Sequence, residues 1–454
     1  MTKGCEEIST KTNDNPDVVG ALSGKRIYFV PSNSSHVAKL KDMMDGLRDR
    51  GAEVRILCVD DLREDRHCSL PSIKASGYPF TVLQTAGFDG NGTRLKQLSQ
   101  RGRLARAIFK QLDEVDVLVL GADAGVGVRT LIQVARSRTI RTVLVPDGLV
   151  LPQHSKFKQG LLIRLKRTIA RLVQQPLGMW GPRGSSGIDM ILAMSRVGKQ
   201  VFVAQGLAPS QVEVIGSPEY ESIAQGLAES NDGRHASELR SRLSLPHDRP
   251  VVLFAHQSVI DSVKELPDLL TTMLNAVEAC GACLLVKFHP RLRQPATLDA
   301  WNQEMKRLGR PVELIAFVRD ECSSVEALRL CSVCVTAYST VALEACMLRK
   351  PLVLVHYLNV PFELSYGEEY GAAIDARTPT ALRDGIVAAV VDESTRQQLI
   401  AGSARVIHEE LCGLDGRSHD RVADAIARLC RNSDSATPAS ARRPKDKASR
   451  VKGT

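Results

Sequence analysis

The stretch "VCVTAYSTVALEACMLRKPLVLVHY", residues 333–357, decides the fold class. It opens with "VCVTA", a short apolar run rich in β-branched residues, which is typical of a buried strand. The segment "STVALEACM" then has the spacing of an amphipathic helix, and "PLVLVHY" is a second apolar run. A strand, a helix and another strand predict a βαβ unit, in which the two strands run parallel.

The same alternation of strand and helix occurs in two successive runs along the chain. The first run starts at "KRIYFVPS" and ends at "QVEVIGSP", and the second starts at "PVVLFAH" and includes "ACLLVKFHP" and "PVELI". A charged stretch without strands, from Glu219 to His247, separates them, and residues 60–92 are predicted to be irregular. Two such runs predict an α/β protein with two doubly wound parallel sheets, each covered by helices on both faces.

The length of the chain also favours two domains. At 454 residues it is too long for one ordinary core and suggests two domains of roughly 200 residues each. The polar start lacks the apolar region of a secretory signal, and no run approaches ~18 consecutive apolar residues. We predict five parts: a disordered leader over 1–22, a Rossmann-like domain over 23–218, a second over 245–410, a terminal helix over 411–432 that could cross back, and a disordered basic tail over 433–454.

Two of the cysteine pairs have the CxxC spacing of metal ligands. The chain has 11 cysteines, and the pairs are Cys280 with Cys283 and Cys331 with Cys334. Together they would allow a four-thiolate zinc site. Both pairs lie in or beside apolar runs, where a free cysteine behaves as a small hydrophobe, and the gap between them is long for a zinc ribbon. We therefore expect reduced thiols in a cytosolic compartment and no metal.

The net charge of +9 is concentrated locally. Part of it lies in the tail, and part in residues 156–173, which contain Lys156, Lys158, Arg164, Lys166, Arg167 and Arg171 and no acidic residue. Aromatic residues make up 4% of the chain, so stacking platforms for nucleic acid are scarce and we expect no nucleic-acid partner. The 156–173 block is either a core-facing helix with a solvated basic face or an amphipathic helix on an anionic membrane surface.

Polar side chains follow four of the predicted strands, at the ends where open α/β sheets bind ligands. These strand-end groups are Asp147 and Gly148, then His256, Gln257 and Ser258, then Lys287, His289, Pro290 and Arg291, and finally Tyr338, Ser339 and Thr340. We predict that they line a cleft between the two domains. Asp123 is placed in a second loop at this cleft, although the full GxGxxG fingerprint is missing from its segment.

The types of these residues favour phosphate binding and proton transfer. Ser339 or Thr340 would cap a helix whose free amides bind phosphate, with Glu344 one turn further on. Lys287, His289 and Arg291 would be donors to a diphosphate. Asp147 would accept a proton from an attacking hydroxyl. The plainer interpretations are an ordinary serine cap, an Asp-Gly turn, a His-Pro loop and a glutamate that serves only the helix dipole.

Two segments carry a resemblance to a known family. "KFHP", followed about fifty residues later by "TAYSTVALEACMLRKPLVLV", resembles the C-terminal half of GT-B glycosyltransferases. The nearest in pattern are bacterial envelope-polysaccharide enzymes, of the polysialyltransferase-like and glycerophosphotransferase-like kinds. "GIDMILAMSRVGKQVFVAQGLAPSQVEVIGSP" is similar to the segment that ends their N-terminal domain, and the similarity covers roughly residues 25–430. UDP-N-acetylglucosamine 2-epimerases share the fold, but their arginine- and acid-rich catalytic runs are not found here.

The resemblance implies a role for several residues. His289 and Pro290 match the motif that contacts the donor phosphate, and Ser339 with Thr340 matches the paired hydroxyls at the phosphate-binding helix. Asp147-Gly148 matches the acidic-glycine motif that supplies the general base, so Asp147 and His289 are the catalytic candidates. The chain departs from the polysialyltransferase-like pattern at Pro146, where those proteins carry a second acid.

The resemblance also implies an activity. We expect two Rossmann-like domains that face each other across a cleft, with the acceptor on the first and the nucleotide-sugar donor on the second. No DxD-type metal motif stands out, so we expect transfer of a sugar to a glycan or lipid-linked acceptor without metal or cofactor. Cell-envelope or capsule synthesis would place the protein in the cytoplasm or on the inner face of the plasma membrane. The alternatives are a nucleotide-sugar epimerase or hydrolase and a catalytically inactive binding protein.

Overall fold

A computed structural model of the chain describes residues 22–62, 69–90, 92–146, 148–152, 187–229, 233–257, 260, 265–289, 295–309 and 314–436. The helices are α1 Ser34–Lys39, α2 Lys41–Asp49, α3 Leu70–Ala75, α4 Arg94–Gln111, α5 Val126–Ser137, α6 Arg196–Ala204, α7 Pro218–Glu229, α8 Gly233–Arg242, α9 Leu266–Ala279, α10 Pro295–Arg307, α11 Ser324–Leu330, α12 Val341–Met347, α13 Tyr366–Tyr370, α14 Pro379–Val391, α15 Glu393–Glu410 and α16 Ser418–Ala436. The strands are β1 Arg26–Val30, β2 Glu53–Cys58, β3 Phe80–Val82, β4 Val117–Leu120, β5 Arg141–Leu144, β6 Met190–Ala193, β7 Val212–Val214, β8 Val251–Ala255, β9 Cys283–Lys287, β10 Ile315–Val318, β11 Val333–Thr336, β12 Leu352–Val355 and β13 Ala373–Ala376.

The strands form two parallel sheets, as the sequence predicted. The first has seven strands in the order β3-β2-β1-β4-β5-β6-β7, and the second has six in the order β10-β9-β8-β11-β12-β13. In each sheet the order reverses once, between β1 and β4 in the first and between β8 and β11 in the second. Such a reversal is the mark of a doubly wound sheet, because the helices that follow the two strands cover opposite faces.

The second sheet shows why its strands are continuous apolar runs. Val252 and Phe254 of β8 pack into the core on one face of the sheet, while Val251 and Leu253 pack into the core on the other. All five residues of β8 are buried. Side chains alternate across a strand, so a strand with helices on both faces must be apolar at every position.

By compactness the chain divides into two units. The first comprises residues 1–144, 187–189 and 419–454, and the second comprises 145–186 and 190–418. Helix α16 contacts α2 inside the first unit, where Asp420 lies 2.8 Å from the guanidinium of Arg50 and Asp424 pairs with the same group. The predicted domain limits at 218 and 245 stay predictions.

Three local predictions were wrong, and each error lies at the margin of a sheet. Residues 60–92 were expected to be irregular, but they contain α3 and the edge strand β3. The edge strand β13 was not predicted at all. Strand β10 lies at Ile315–Val318, further along the chain than the predicted "PVELI". Edge strands are short and partly solvated, so they lack the long apolar run by which a central strand is recognised.

Gly121 lies where the strand order of the first sheet reverses, between β1 and β4. Gly121 follows β4 and donates its N–H to Val30 O of β1 at 2.9 Å. A Cβ atom at Gly121 would lie 2.1 Å from ring atoms of His36 and 2.9 Å from Ser32 N. His36 is itself buried, and its Nδ1 accepts the N–H of Ser32 at 3.1 Å. Because Gly121 has no side chain, the buried imidazole of His36 fits beside it.

We expect Gly121→Ala to lower the free energy of unfolding by about 1–3 kcal/mol, because the new methyl group overlaps the His36 ring. His36→Ala in the same chain should recover part of that loss. Gly102→Ala in α4 is the matched control, since no atom lies within 4 Å of a Cβ at that position. It should leave stability unchanged or raise it by about 0.4–1 kcal/mol. Urea unfolding of the four proteins measures this, and equal effects at 121 and 102 would contradict the packing argument.

Candidate ligand site at the ends of β8 and β11

The second sheet reverses its order between β8 and β11, and the predicted strand-end residues of both strands lie at this point. His256 and Gln257 follow β8, and Tyr338, Ser339 and Thr340 follow β11. The helices that follow the two strands pack on opposite faces of the sheet, α9 in one core cluster and α12 in the other. A crevice outside the carboxyl ends of these strands is where open α/β sheets bind ligands.

Hydrogen bonds fasten the ends of the two strands to each other. Gln257 Oε1 accepts the backbone N–H of Tyr338 at 3.2 Å. Two residues earlier in each segment, Thr336 Oγ1 donates to Ala255 O at 3.1 Å. Gln257 thus holds the first turn after β11 against the end of β8. Ser339 and Thr340 directly follow Tyr338. The positions of their hydroxyl groups therefore depend on Gln257, which follows the neighbouring strand.

Ser339 and Thr340 precede α12, as predicted, but only one of their side chains hydrogen-bonds to the backbone of the helix. Ser339 Oγ accepts the N–H of Val341 at 3.3 Å, whereas Thr340 is the N-cap by position and its side chain makes no capping hydrogen bond. Helix α12 has only seven residues. Its dipole is therefore a minor contribution, and the hydroxyl groups and nearby amides are the main polar features of this turn.

The segment after β5 reaches the same turn. A Cβ atom at Gly148 would lie 3.8 Å from Thr340 Cγ2, and the φ angle of Gly148 is +90°, a value that other residues rarely adopt. Leu149 and Leu151 pack against the core of the second unit. The glycine of the Asp-Gly pair and the threonine after β11, two positions predicted separately, are therefore close together.

His256 lies inside an aromatic cluster. Its ring centroid is 5.0 Å from that of Phe288, 5.8 Å from that of Trp301 and 5.9 Å from that of Phe254. The residue is 3% exposed. Edge-to-face contacts of this kind stabilise the packing of β8 and β9. His256 therefore packs within this cluster, and its predicted role in donor binding stays a prediction.

Lys287 also has a partner within the fold. Its Nζ donates to the backbone carbonyl of Arg319, and the residue is 6% exposed. Burial lowers the pKa of Lys287, while the neighbouring Cys322, Asp320 and Glu321 act in the opposite direction. This contact joins the end of β9 to the turn after β10, and the predicted role of Lys287 in phosphate binding stays a prediction.

The structure describes three of the other predicted residues, His289, Glu344 and Asp123. His289 is exposed at the end of β9, and Glu344 is half-buried in the first turn of α12. Asp123 follows β4 in the first unit, is 4% exposed, and accepts a hydrogen bond from Arg129 Nε through its carbonyl at 3.1 Å. The remaining predictions lie outside the described residues: Asp147, Ser258, Pro290, Arg291 and the basic block 156–173.

Sequence reasoning missed two polar groups at strand ends. Ser32, Asn33 and His36 follow β1 and are buried at the reversal of the first sheet. His36 N donates to Asn33 Oδ1 at 2.9 Å. The rule that identified the other strand ends, polar residues directly after an apolar run, applies equally to "YFVPSNSSH" and would have found them.

The second missed group surrounds His356, which follows β12. Its side chain is 2% exposed, with Nδ1 at 2.5 Å from Glu363 Oε1 and Nε2 at 3.5 Å from Asp375 Oδ1. Burial raises the pKa of Asp375, and His356 and Arg377 oppose that rise. Phe362, beside Glu363, packs edge-on against Tyr338 with ring centroids 5.5 Å apart. The network thus fixes the loop that covers one side of Tyr338.

The cysteines of the two CxxC pairs are packed as apolar side chains. Cys280 Sγ lies 3.1 Å from Ala276 O, and Cys331 Sγ lies 3.2 Å from Leu328 O. Burial raises the pKa of Cys331 to about 12 and that of Cys334 well above its usual value. Among the residues that the structure describes, no group of three or more His, Cys, Asp or Glu side chains could hold a metal ion. Within that same part of the chain, no helix is long and apolar enough to cross a membrane.

No protein-family model matches the chain, and no curated protein matches it in sequence. Solved structures do match its fold. A candidate UDP-N-acetylglucosamine 2-epimerase from Listeria monocytogenes is 13% identical, with a TM-score of 0.61 over 90% of this chain and 97% of that protein. HepE from Anabaena, solved with UDP and glucose, is 13% identical, with a TM-score of 0.57 over 90% of this chain and 100% of that one.

The UDP-GlcNAc 2-epimerase of Methanocaldococcus jannaschii, solved with UDP-GlcNAc and UDP, is a third structural match. It is 16% identical, with a TM-score of 0.53 over 84% of this chain and 98% of that protein. At such low identities the likeness shows the fold alone. The chain is similar to these proteins in its two Rossmann-like domains, so the predicted fold class, α/β of the GT-B type, is confirmed.

Two substitutions at the site should differ in their effect on stability. Gln257→Leu removes the acceptor of the Tyr338 N–H and should lower the free energy of unfolding by about 1–3 kcal/mol. His289→Ala changes an exposed side chain and should alter it by less than about 0.5 kcal/mol. Urea unfolding monitored by circular dichroism measures both. A large loss for His289→Ala would show that this histidine is structural.

Proposed function

We propose that the chain binds a nucleoside-diphosphate sugar at the ends of β8 and β11 and transfers its sugar to a glycan or lipid-linked acceptor. The observation that carries the proposal is the join at the reversal of the second sheet, where Gln257 holds Tyr338 beside two hydroxyl residues. The structural matches solved with UDP favour uridine as the nucleoside. The resemblance to envelope-polysaccharide enzymes favours the glycan acceptor and a place in the cytoplasm or on the inner face of the plasma membrane.

In this proposal the donor's diphosphate lies over the turn between β11 and α12. The hydroxyls of Ser339 and Thr340 and the nearby backbone amides donate to its oxygens. His289, exposed at the end of the neighbouring strand β9, adds a donor whose hydrogen bond is stronger when the ring is protonated. Pro290, Arg291 and Ser258 belong to the same set by sequence. Hydroxyl, amide, imidazole and guanidinium donors would thus stabilise the leaving diphosphate in place of a metal ion.

Asp147 is proposed as the general base. It would take the proton from an acceptor hydroxyl as that oxygen forms a bond to the anomeric carbon, while the bond from this carbon to the phosphate oxygen breaks. Its neighbour Gly148 supports the assignment, because Gly148 lies close to Thr340 and has a backbone angle that suits glycine. The two proposed domains, 23–218 for the acceptor and 245–410 for the donor, are parts of the same proposal.

Epimerisation of the nucleotide sugar is the second candidate, because the structural matches include UDP-N-acetylglucosamine 2-epimerases. An epimerase would bind the donor through the same turn and would need no acceptor. The arginine- and acid-rich runs of those enzymes are not found in this sequence, and this difference favours transfer.

A nucleotide screen followed by product analysis tests the proposal. At about 100 times its dissociation constant, the matching nucleotide should stabilise the protein by about 2.7 kcal/mol in a thermal-shift assay, and we expect UDP to exceed CMP, CDP, GDP and ADP. Incubation with the UDP-sugar alone then separates the reactions. Epimer or free sugar without an acceptor would indicate the second candidate. Donor that binds but is never turned over, across a broad acceptor panel, would indicate an inactive binding protein.

Variants of the donor turn should weaken binding and turnover together. His289→Ala should lower donor affinity roughly 10- to 150-fold, the effect of losing a hydrogen bond to a charged group. Ser339→Ala should have a milder effect, because the amides of the turn remain. Titration calorimetry with UDP measures both. Arg383→Ala, at an exposed position on α14, is the control and should bind as the unaltered protein does. Unchanged affinity in His289→Ala would remove His289 from the site.

Asp147→Asn should affect turnover and not donor binding, unlike the variants of the donor turn. The donor should bind as before while turnover collapses, because the substitution removes the base and leaves the phosphate contacts intact. Gly148→Ala should also lower turnover, since alanine is strained at a φ of +90°. A single-turnover assay beside a binding assay distinguishes these effects. If Asp147→Asn turns over at the normal rate, another residue is the base.

A further inference from the structure

Helix α4 carries positive charge that the proposed function does not use. It has 18 residues, Arg94–Gln111, in the first unit. Six of them are basic and none is acidic: Arg94, Lys96, Arg101, Arg103, Arg106 and Lys110. Exposed helices of globular proteins usually mix both signs of charge, because opposite charges three or four residues apart stabilise the helix. A helix this long with one sign only indicates a negatively charged partner.

The exposed side of α4 combines these cations with large apolar side chains. Leu95 is 74% exposed at one end and Phe109 is 48% exposed at the other. The two are fourteen residues apart, which is about 21 Å along a helix. The opposite side of the helix is anchored by Leu104 and Ile108, which are fully buried. The fold therefore does not need the exposed side for packing.

The edge of the first sheet extends the same surface. All three residues of β3 are exposed, and Phe80 and Val82 are among the large apolar side chains on the protein surface. Shortly after β3, Gln84 N donates to Gln111 Oε1 at 2.7 Å, and Gln111 Nε2 donates to Gln84 O at 2.8 Å. The end of the strand is thus fixed beside the end of the helix.

An open cavity of about 670 Å³ lies between α4 and the segment that follows β3, which contributes Gln84 and Ala86. Its lining is mostly apolar, and three cations border it: Arg103, Arg106 and Lys110. We name the set formed by Phe80, Val82, Leu95, Arg103, Arg106, Phe109 and Lys110 the α4 surface.

The three cations at the cavity have no carboxylate to neutralise them within the described part of the chain. The nearby Asp113 is taken by Arg138, at 2.6 Å, and Arg138 in turn lies over the Phe109 ring at 4.5 Å. Lys96 differs, because it pairs with Asp89 at 2.8 Å. Uncompensated cations beside exposed apolar side chains suit a ligand that is negatively charged at its surface and apolar beneath.

We propose that the α4 surface docks the protein on an anionic lipid bilayer. Leu95, Phe109, Phe80 and Val82 would enter the boundary between headgroups and acyl chains, and Arg103, Arg106 and Lys110 would contact lipid phosphates. A nucleic acid would use the cations but would gain nothing from exposed Leu and Val side chains. The α4 surface uses none of the residues of the basic block 156–173, and the proposal is independent of whether the protein transfers or epimerises a sugar.

Vesicle sedimentation with the full chain tests the proposal. The vesicles contain equal amounts of phosphatidylglycerol and phosphatidylcholine, at low ionic strength, and phosphatidylcholine alone is the neutral control. Replacing Arg103, Arg106 and Lys110 together with Gln should weaken partitioning to the anionic vesicles by about 100-fold, because each basic residue near such a surface contributes a factor of about five. Leu95→Ser should weaken it several-fold on its own. UDP affinity should not change.

The control removes the same charge elsewhere. Lys306, Arg383 and Arg417 are exposed residues of the second unit, and replacing all three with Gln lowers the net charge equally. This control should sediment with anionic vesicles nearly as well as the unaltered chain. Circular dichroism and thermal unfolding of each variant show that it is folded, and Leu95→Ser provides a second test because its side chain makes little contact with the core.

Three results would overturn the proposal. The first is a wild-type chain that ignores anionic vesicles, and the second is an α4 variant that sediments as well as its control. The third is a wild-type chain that binds duplex DNA or RNA fragments through these three cations while Leu95→Ser has no effect on vesicles. Unaltered UDP binding in the α4 variant keeps this test separate from that of the proposed function.

Discussion

The structure depends on strands that are buried on both faces. In β8 and β11 every position packs against a helix layer, so the strand itself has no place for a charged side chain. In these two strands the charged and strongly polar groups are consequently found among the residues that follow the strand. Since parallel strands all end at the same edge of a sheet, those residues gather there, and the reversal of strand order opens a space between two of them.

This constraint explains what could be predicted from the sequence. The fold class and the strand ends followed from apolar runs and the polar residues behind them, and Ser339 and Thr340 lie where the pattern put them. The contact between Gln257 and Tyr338 could not be predicted, because it joins strands 81 residues apart in the chain. His256 and Lys287 were assigned to the ligand on residue type and on their places at strand ends. Their positions depend on neighbours from other strands, which a linear pattern does not reveal.

Lys287 has a hydrogen-bond partner within the fold, and this affects which groups the candidate site can offer to a ligand. Lys287 is buried and donates to the Arg319 carbonyl, so it contributes to the packing of β9 against β10. Among the residues that the structure describes at the join of β8 and β11, the polar groups include hydroxyls, backbone amides and a carboxamide. Such a set recognises an anion by the directions of its hydrogen bonds more than by net charge, which favours selectivity for the shape of a nucleotide over general affinity for phosphate.

The aromatic cluster beneath β8 and β9 gives the protein an internal optical probe. Trp301 is 1% exposed and lies 5.8 Å from the His256 ring, directly under the residues that follow β8. The chain has only two tryptophans, so replacing Trp180 with Phe would leave Trp301 as the sole indole emitter. Its emission would be blue-shifted in the folded protein, because the indole is buried, and would move to longer wavelength when the ring is exposed to water. Unfolding of the second unit could then be followed by the wavelength of this emission alone.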